Sequence, residues 1–185
     1  MRVIAGQFRG RRLLSPQGDV IRPTSDRARE ALFDILEHGE PPLRGGCFLD
    51  LFCGTGAVGI EACSRGAALV LLIENDPEAL RLAKANLARI GTPPHVRLMA
   101  GDAARLGPAP QRFDLVFLDP PYRSGLALPA LSGLRGGWLA PGARIVVELA
   151  AKEPLDLPVG FEVEQERRYG AARFVFLREQ EVRSP

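Results

Sequence analysis

A short apolar run ends in Asp119-Pro120-Pro121-Tyr122, and these four residues are well suited to holding a planar base that carries an amino group. Proline fixes φ and has no backbone N–H, so the carbonyl groups of Asp119 and Pro120 are held in place to accept hydrogen bonds from a ligand. Tyr122 offers a ring face for stacking. The same residues can also simply end a strand, with Asp119 capping a turn and Tyr122 covering the core edge. The rest of the chain decides between the two interpretations.

A glycine-rich loop, Gly54-Thr55-Gly56-Ala57-Val58-Gly59, lies between a predicted strand and a predicted helix. Its glycines permit a tight turn and a close approach of the backbone to a ligand, and the helix N-terminus offers unpaired N–H groups. By itself such a loop is weak evidence for a cofactor site. Its members and neighbours that we expect to bind a cofactor are Asp50, Phe52, Gly54 and Gly56.

Two further groups of residues follow the next two predicted strands. Glu74 and Asn75 stand where a carboxylate can accept from the hydroxyl groups of a ribose. Gly101, Asp102 and Ala103 stand where an adenine amino group can be read. Each group alone fits a structural role as a cap or a packing glycine. Because one such group follows each of three successive strands, we expect them to line one crevice at the carboxyl ends of adjacent strands.

Such a crevice suits either a dinucleotide or S-adenosyl-L-methionine. A dinucleotide places its pyrophosphate at the helix N-terminus. Asp50, four residues before Gly54, instead offers a carboxylate beside the loop, which suits the ammonium group of a methionine moiety.

Apolar runs alternate with helical patterns along the chain. The predicted strands are residues 47–52, 69–74, 96–99, 113–119 and 144–149, and the predicted helices are residues 24–37, 57–65, 77–90 and 126–134. The strands are rich in Val, Ile, Leu and Phe throughout, as strands buried on both faces are, so an α/β fold with a mostly parallel sheet is predicted. Residues 161–167 and 173–178 have no helix between them and predict a terminal antiparallel hairpin.

The positive charge is concentrated at the front of the chain. Residues 1–29 hold seven arginines and two aspartates, a net charge of +5, whereas the whole 185-residue chain has a net charge of only +2. A basic segment of this kind indicates a polyanionic partner, although it is also compatible with a solvated terminus. The arginines expected to bind RNA are Arg2, Arg9, Arg11, Arg12 and Arg22. We divide the chain into a basic arm with a helix (1–38), one Rossmann-like domain (39–178) and a polar tail (179–185).

Three cysteines without Cys-x-x-Cys spacing argue against a disulfide framework or a zinc site, so no metal is expected. The start of the chain has no apolar signal-peptide region, and no stretch approaches the length of a membrane span. A cytoplasmic protein that makes no contact with membranes and acts as a monomer is therefore expected.

The order of Asp50 to Gly59, Glu74, Asp102 and Asp119 to Tyr122 resembles class I S-adenosylmethionine-dependent methyltransferases that act on exocyclic amino groups. Residues 2–13, RVIAGQFRGRRL, and residues 22–33, RPTSDRAREALF, are similar to the RsmD family, bacterial guanine-N2 methyltransferases of small-subunit (16S) ribosomal RNA. These two blocks are far more specific than the glycine loop.

The resemblance implies a seven-stranded sheet of order 3-2-1-4-5-7-6 with the last-formed strand antiparallel. It implies S-adenosyl-L-methionine as cofactor, and 16S ribosomal RNA in an assembled or assembling small subunit as substrate. Carried over to matching positions, Asp50, Gly54 and Gly56 surround the methionine part, Glu74 the ribose, and Asp102 with Ala103 the adenine. The target base is held by Asp119, Pro120, Pro121 and Tyr122. Thr24 and Arg27 are further candidates, on a helix that closes the cofactor site in the family.

Three alternatives stay open at this point. The enzyme can act on an amino group of adenine or cytosine in another RNA or in DNA. The crevice can belong to a nucleotide-dependent oxidoreductase. The chain can also be a non-catalytic RNA-binding assembly factor that keeps a relic cofactor pocket.

Overall fold

The computed structural model describes residues 1–16 and 26–180 of the chain. Arg22, Thr24 and the predicted start of the first helix lie outside the described residues, as does the end of the predicted tail. The helices are α1 (Asp26–Glu37), α2 (Ala57–Ser64), α3 (Pro77–Arg89) and α4 (Ala127–Leu134). The strands are β1 (Cys47–Leu51), β2 (Leu69–Glu74), β3 (Val96–Ala100), β4 (Phe113–Leu118), β5 (Leu139–Ala150), β6 (Phe161–Tyr169) and β7 (Ala172–Glu179).

The seven strands form one sheet in the order β3-β2-β1-β4-β5-β7-β6, which confirms the expected topology. The pairs among β1 to β5 are parallel, and β7 is antiparallel to both β5 and β6. The terminal hairpin is therefore confirmed. The parallel order brings the carboxyl ends of β1, β2 and β4 to the same edge of the sheet.

Alternate residues of each central strand face two separate cores. Phe48, Val70 and Leu72 point into a cluster with side chains of α1, α2 and α3. Leu49 and Leu71 point into a cluster that includes α4 and Trp138. Helices thus cover both faces, which explains why these strands are apolar at every position.

Local signals in the sequence account for most of the element boundaries. Asp76 caps α3, because its side chain accepts a hydrogen bond from Ala79 N at 2.8 Å and Pro77 occupies the first helical turn. β1 ends at Leu51, one residue before the predicted end, because Phe52 adopts a left-handed backbone conformation with φ of +59°. β5 begins five residues before the predicted position 144, and β7 runs to Glu179, one residue into the predicted tail.

The N-terminal arm, residues 1–16, is folded onto the domain. Arg2 and Arg12 form an antiparallel bridge, and the buried side chains of Val3 and Leu13 join the core beside α1 and α2. Glu61 of α2 accepts hydrogen bonds from the backbone N–H groups of Ile4 and Ala5 at 2.8 and 2.9 Å. The basic arm predicted from the charge pattern is therefore a packed hairpin with exposed arginines.

Among residues 1–16 and 26–180, no helix combines the length and the apolar character needed to cross a membrane.

Candidate active site

Four carboxyl groups from different strands lie at the carboxyl-terminal edge of the sheet. Asp50 belongs to β1, Glu74 ends β2, Asp119 directly follows β4, and Glu148 lies in β5. β1 pairs with β2 and β4, and β4 pairs with β5, so these carboxyl groups lie on neighbouring strands. Glu148, Asp50 and Glu74 all raise the pKa of Asp119. In a partly desolvated site these groups favour a cationic ligand.

The glycine loop connects this edge to α2. Gly54 and Gly56 have φ of +55° and +76°, and a Cβ at Gly56 would lie 3.3 Å from Leu72 Cδ1. At Gly59 a Cβ would lie 2.1 Å from Leu72 Cδ2, so only glycine lets α2 pack this closely on β2. α2 begins without a side-chain cap at Gly56, which leaves backbone N–H groups at its N-terminus for a ligand.

Glu74 ties two loops of the site together. Its Oε2 accepts from Gly54 N at 2.7 Å, and its Oε1 accepts from Asn75 N and Asp76 N at 2.8 and 3.0 Å. A carboxylate has about four acceptor positions, so Glu74 retains capacity for a hydroxyl group. Through Gly54, Glu74 holds the glycine loop against the end of β2.

Asp50 lies fully buried behind the glycine loop. Its Oδ2 accepts from Gly59 N at 2.9 Å, whereas its Oδ1 is buried and has no hydrogen-bond partner among the described residues. Burial, and to a smaller extent Glu74, raise the pKa of Asp50 from 3.8 to about 8. Asp50 thus holds the start of α2 against β1 through Gly59, and its direct contact with the ammonium group of a methionine moiety stays a prediction.

Replacing Asp50 with asparagine is expected to change how stability depends on pH. Because the folded protein holds the Asp50 proton up to about pH 8 and the unfolded chain releases it near 3.8, ionisation destabilises the fold as pH rises between these values. Relative to wild type, the free energy of unfolding of Asp50→Asn should increase by up to about 1.4 kcal/mol per pH unit across that window and level off above it. Urea unfolding from pH 4.5 to 9 measures this difference.

The exposed Asp156→Asn substitution is the matched control, and its difference from wild type should vary little over the same window. A pH-independent difference for Asp50→Asn would show that Asp50 is ionised throughout.

The residues expected to read adenine lie after β3. Asp102 Oδ1 accepts from Ala104 N at 2.9 Å, so this carboxyl caps a turn, and Ala103 is buried in the core. Gly101 N donates to the carbonyl of Glu74 at 2.9 Å and keeps this loop beside the end of β2. Asn75 is exposed at the same edge.

A pocket opens above the glycine loop. Of the residues expected to bind the cofactor or the base, Phe52, Gly54 and Asp119 line it. The expected cofactor residues that do not line it are Asp50, Gly56, Glu74, Asn75, Gly101, Asp102 and Ala103. Thr55, Ala57 and Val58 of the glycine loop and the adjoining Cys53 also line it. Seven further lining residues were not predicted from the sequence: Met1, Pro16, Arg29, Asp76, Glu78, Ala79 and Leu82. The arm, α1 and α3 therefore supply one side of the pocket.

The loop after β4 holds the predicted base-binding residues together. Asp119 N donates to the carbonyl of Leu51 at 3.2 Å, and the Pro121 carbonyl accepts from Ser124 N at 3.1 Å, which closes a turn. Pro120 is buried, whereas Pro121 and Tyr122 are exposed. The tetrapeptide therefore ends a strand, and its first residue, Asp119, lines the pocket, whereas the binding of a base by these four residues stays a prediction.

Glu148 is a buried acid beneath this loop that the sequence analysis did not single out, because it lies within an apolar strand. The Tyr122 hydroxyl lies 3.5 Å from Glu148 Oε1. Burial and then Glu148 raise the pKa of Asp119 well above its ordinary value, and the same two causes raise the pKa of the Tyr122 hydroxyl. In the part of the chain that the structure describes, no cluster of acids, cysteines and histidines is arranged to hold a metal ion.

The arm presents a basic surface beside the site. Arg2, Arg9, Arg11 and Arg12 are all exposed, and Arg2 and Arg9 line an open groove with Arg27, Asp26 and Glu30. Because Met1 of the same hairpin lines the pocket, the arm borders both the groove and the pocket.

Known proteins share both the sequence and the architecture. A family model described as conserved hypothetical protein 95 matches residues 1–178. The ribosomal RNA small subunit methyltransferase D of Escherichia coli K12 is 36% identical over 184 residues, which cover 94% of this chain and 87% of that protein. The Escherichia coli structure yhhF aligns with a TM-score of 0.82 at 34% identity, covering 97% of this chain and 98% of that one.

A more distant structure shares the fold alone. An RNA methyltransferase from Salinibacter ruber, in complex with S-adenosyl-L-homocysteine, aligns with a TM-score of 0.67 at 18% identity and covers 86% of this chain and 95% of that one. The sheet order and the antiparallel β7 are those of the class I methyltransferase fold.

Proposed function

The chain belongs to the conserved hypothetical protein 95 family, which includes the RsmD methyltransferases, and from that premise we propose that it transfers a methyl group from S-adenosyl-L-methionine to the N2 amino group of a guanine in 16S ribosomal RNA. One observation carries the proposal. Asp119, at the start of the Asp-Pro-Pro-Tyr loop, lines the same pocket as Phe52 and Gly54 of the glycine loop. A base held by the first loop then meets a cofactor held by the second.

The charges of the pocket suit S-adenosyl-L-methionine. This cofactor supplies a methyl group on a positively charged sulfur, and its amino group adds a second positive charge. Asp119 lines the pocket together with Asp76 and Glu78, and a cation bound beside these carboxyl groups favours their ionised forms. Gly54 and Gly56 allow the backbone to approach the methionine part, and Glu74 retains acceptor capacity for the ribose.

The base is held by the loop after β4. A guanine amino nitrogen is a poor nucleophile because its lone pair is delocalised into the ring. Asp119 and the Pro120 carbonyl accept the two amino hydrogens, which localises the lone pair and aims it at the methyl group. Tyr122, exposed in the same loop as Asp119, stacks on the base once the base has left the RNA helix.

The reaction also releases a proton, because the methylated nitrogen carries one hydrogen too many. Asp119 is suited to accept it, since burial and Glu148 raise the pKa of its carboxyl group and make the ionised form more basic. Positioning and electrostatics thus supply the catalysis without a covalent intermediate.

The arm is the proposed contact with ribosomal RNA. Replacing its four exposed arginines, Arg2, Arg9, Arg11 and Arg12, with glutamine should weaken RNA binding. It should also flatten the plot of log affinity against log salt by up to about three units, because each phosphate contact contributes about 0.7 to 0.9. Fluorescence anisotropy over a salt series measures the slope, and the thermal midpoint should change little because these side chains are exposed.

A matched variant removes four exposed arginines elsewhere: Arg97, Arg112, Arg167 and Arg168. If the plot of log affinity against log salt flattens as much for this variant as for the arm variant, the RNA is bound by positive charge over the whole surface rather than by the arm. Substitution is preferable to deletion here, because Val3 and Leu13 belong to the core.

Three alternatives are separated by simple measurements. Nucleoside mass spectrometry of the product distinguishes N2-methylguanosine from methylated adenine or cytosine. Calorimetric titration with S-adenosyl-L-methionine and with NAD distinguishes a methyltransferase from an oxidoreductase. A non-catalytic assembly factor would bind RNA and leave it unmethylated.

A further inference from the structure

Arg29 is a buried arginine to which the proposed roles of the glycine loop and of the loop after β4 assign no function. It lies on the core-facing side of α1, 1% exposed, between Ala28 and the buried pair Leu32 and Phe33. It also lines the pocket that we assign to the cofactor, on the wall formed by α1 and the arm. A fully buried arginine at a pocket wall requires an anionic or carbonyl partner.

The partners of Arg29 in the protein are incomplete. One terminal nitrogen, Nη2, donates to the Arg2 carbonyl and to Asp26 Oδ1, the latter at 3.0 Å. Nε is buried and has no acceptor among the described residues. Burial lowers the pKa of Arg29, with Asp26 and Glu61 opposing that effect, but an arginine keeps its charge at neutral pH. The guanidinium group therefore retains an unused donor beside the pocket.

The pocket is lined by acidic side chains and by one arginine. Asp76, Glu78 and Asp119 line it, and Arg29 lines the wall formed by α1 and the arm. A ligand that carries an ammonium group and a carboxylate on one carbon atom complements the acidic side chains and Arg29 at once. The amino-acid end of S-adenosyl-L-methionine has this arrangement.

We propose that Arg29 binds the carboxylate of the methionine moiety through Nε and a terminal nitrogen, and so selects a cofactor with an intact amino-acid end. The proposal rests on the proposed function and adds a specificity-determining residue to it. A planar guanidinium group matches a carboxylate in the bidentate geometry that a lysine lacks. Arg29 also bonds to the Arg2 carbonyl, so the same side chain connects the cofactor to the arm.

The test compares two ligands that differ only in this carboxylate. Calorimetry with wild-type protein should give about 10- to 100-fold tighter binding of S-adenosyl-L-methionine than of its decarboxylated form, as expected for a charge-assisted hydrogen-bonded pair. Arg29→Gln should lose about that factor for S-adenosyl-L-methionine and little for the decarboxylated form, so that the ratio approaches one. Arg29→Lys keeps the charge without Nε and should give an intermediate ratio.

Arg65→Gln is the matched control, because Arg65 is equally buried but bonds to Glu61 and Glu37 away from the pocket. Any loss of affinity that it causes should be the same for both ligands. Equal binding of the two ligands by wild type, or equal losses in Arg29→Gln, would overturn the inference. If wild type binds neither ligand, the proposed function fails and the inference fails with it.

Discussion

Replacing Asp119 with asparagine is expected to lower the rate of methyl transfer by at least about 100-fold, while the affinity for S-adenosyl-L-methionine changes by less than about threefold. Asparagine has nearly the same shape, but it turns one of the two acceptor oxygens into a donor that faces the amino group of the base. It also removes the group that accepts the proton. Single-turnover rates and calorimetric titration measure the two quantities separately.

The exposed Asp156→Asn variant should match wild type in both measurements and serves as the control. Near-normal methyl transfer by Asp119→Asn would contradict the assignment of Asp119. A large loss of cofactor affinity would instead place the main action of Asp119 in binding the cofactor.

Replacing Gly6 with alanine is expected to destabilise the protein by about 3 kcal/mol. A Cβ at Gly6 would lie 1.8 Å from the carbonyl oxygen of Ser64, a backbone atom that cannot move without disturbing the end of α2. Gln7 N donates to the same oxygen at 2.7 Å, and Phe8 N donates to Ser64 Oγ at 2.9 Å. The arm must therefore separate from α2 or push it aside, and urea unfolding measures the cost.

Gly10→Ala is a matched control within the same hairpin. Gly10 has φ of +82°, close to the +78° of Gly6, but a Cβ there meets no atom within 4 Å. Gly10→Ala should therefore lower the free energy of unfolding only by the backbone strain, about 1 kcal/mol. Gly6→Ala should also weaken cofactor binding, because Met1 lines the pocket. Equal effects of the two substitutions would show that the contact with Ser64 contributes little.

The sheet could be predicted because its strands are apolar at every position, as two covered faces require. The glycine loop and Glu74 could be predicted to lie at one edge of the sheet, because the carboxyl ends of parallel strands lie at the same edge. The order of all seven strands came from the resemblance of residues 2–33 and of the motifs to a known family. Periodicity alone does not specify which strands are neighbours.

The packed arm could not be predicted in the same way. Only Val3 and Leu13 of the hairpin are buried hydrophobic residues, and they lie among arginines and glycines without a regular period. The arm is held in place by Glu61 and Ser64, which accept hydrogen bonds from the backbone of Ile4 and Phe8 across 57 and 56 positions. The charge pattern correctly indicated an exposed basic surface but not the fold beneath it.

Arg29 and Glu148 were missed for a related reason. Arg29 is spaced three, four and seven residues from Leu32, Phe33 and Leu36, so a charge on the apolar face of the helix was visible in the sequence. Glu148 lies within the run from Ile145 to Leu149 and is equally conspicuous once the strand is known to be buried. A charged residue at a core position is therefore a signal for a functional site that motif matching overlooks.

The most direct test of the account is to incubate the protein with labelled S-adenosyl-L-methionine and small ribosomal subunits that lack the modification, alongside naked 16S ribosomal RNA. The RNA is then digested to nucleosides and the label is located by mass spectrometry. We expect N2-methylguanosine at one position in the subunits, a smaller yield on naked RNA, and no label with Asp119→Asn. Label on another base, or full labelling by the Asp119→Asn variant, would contradict this expectation.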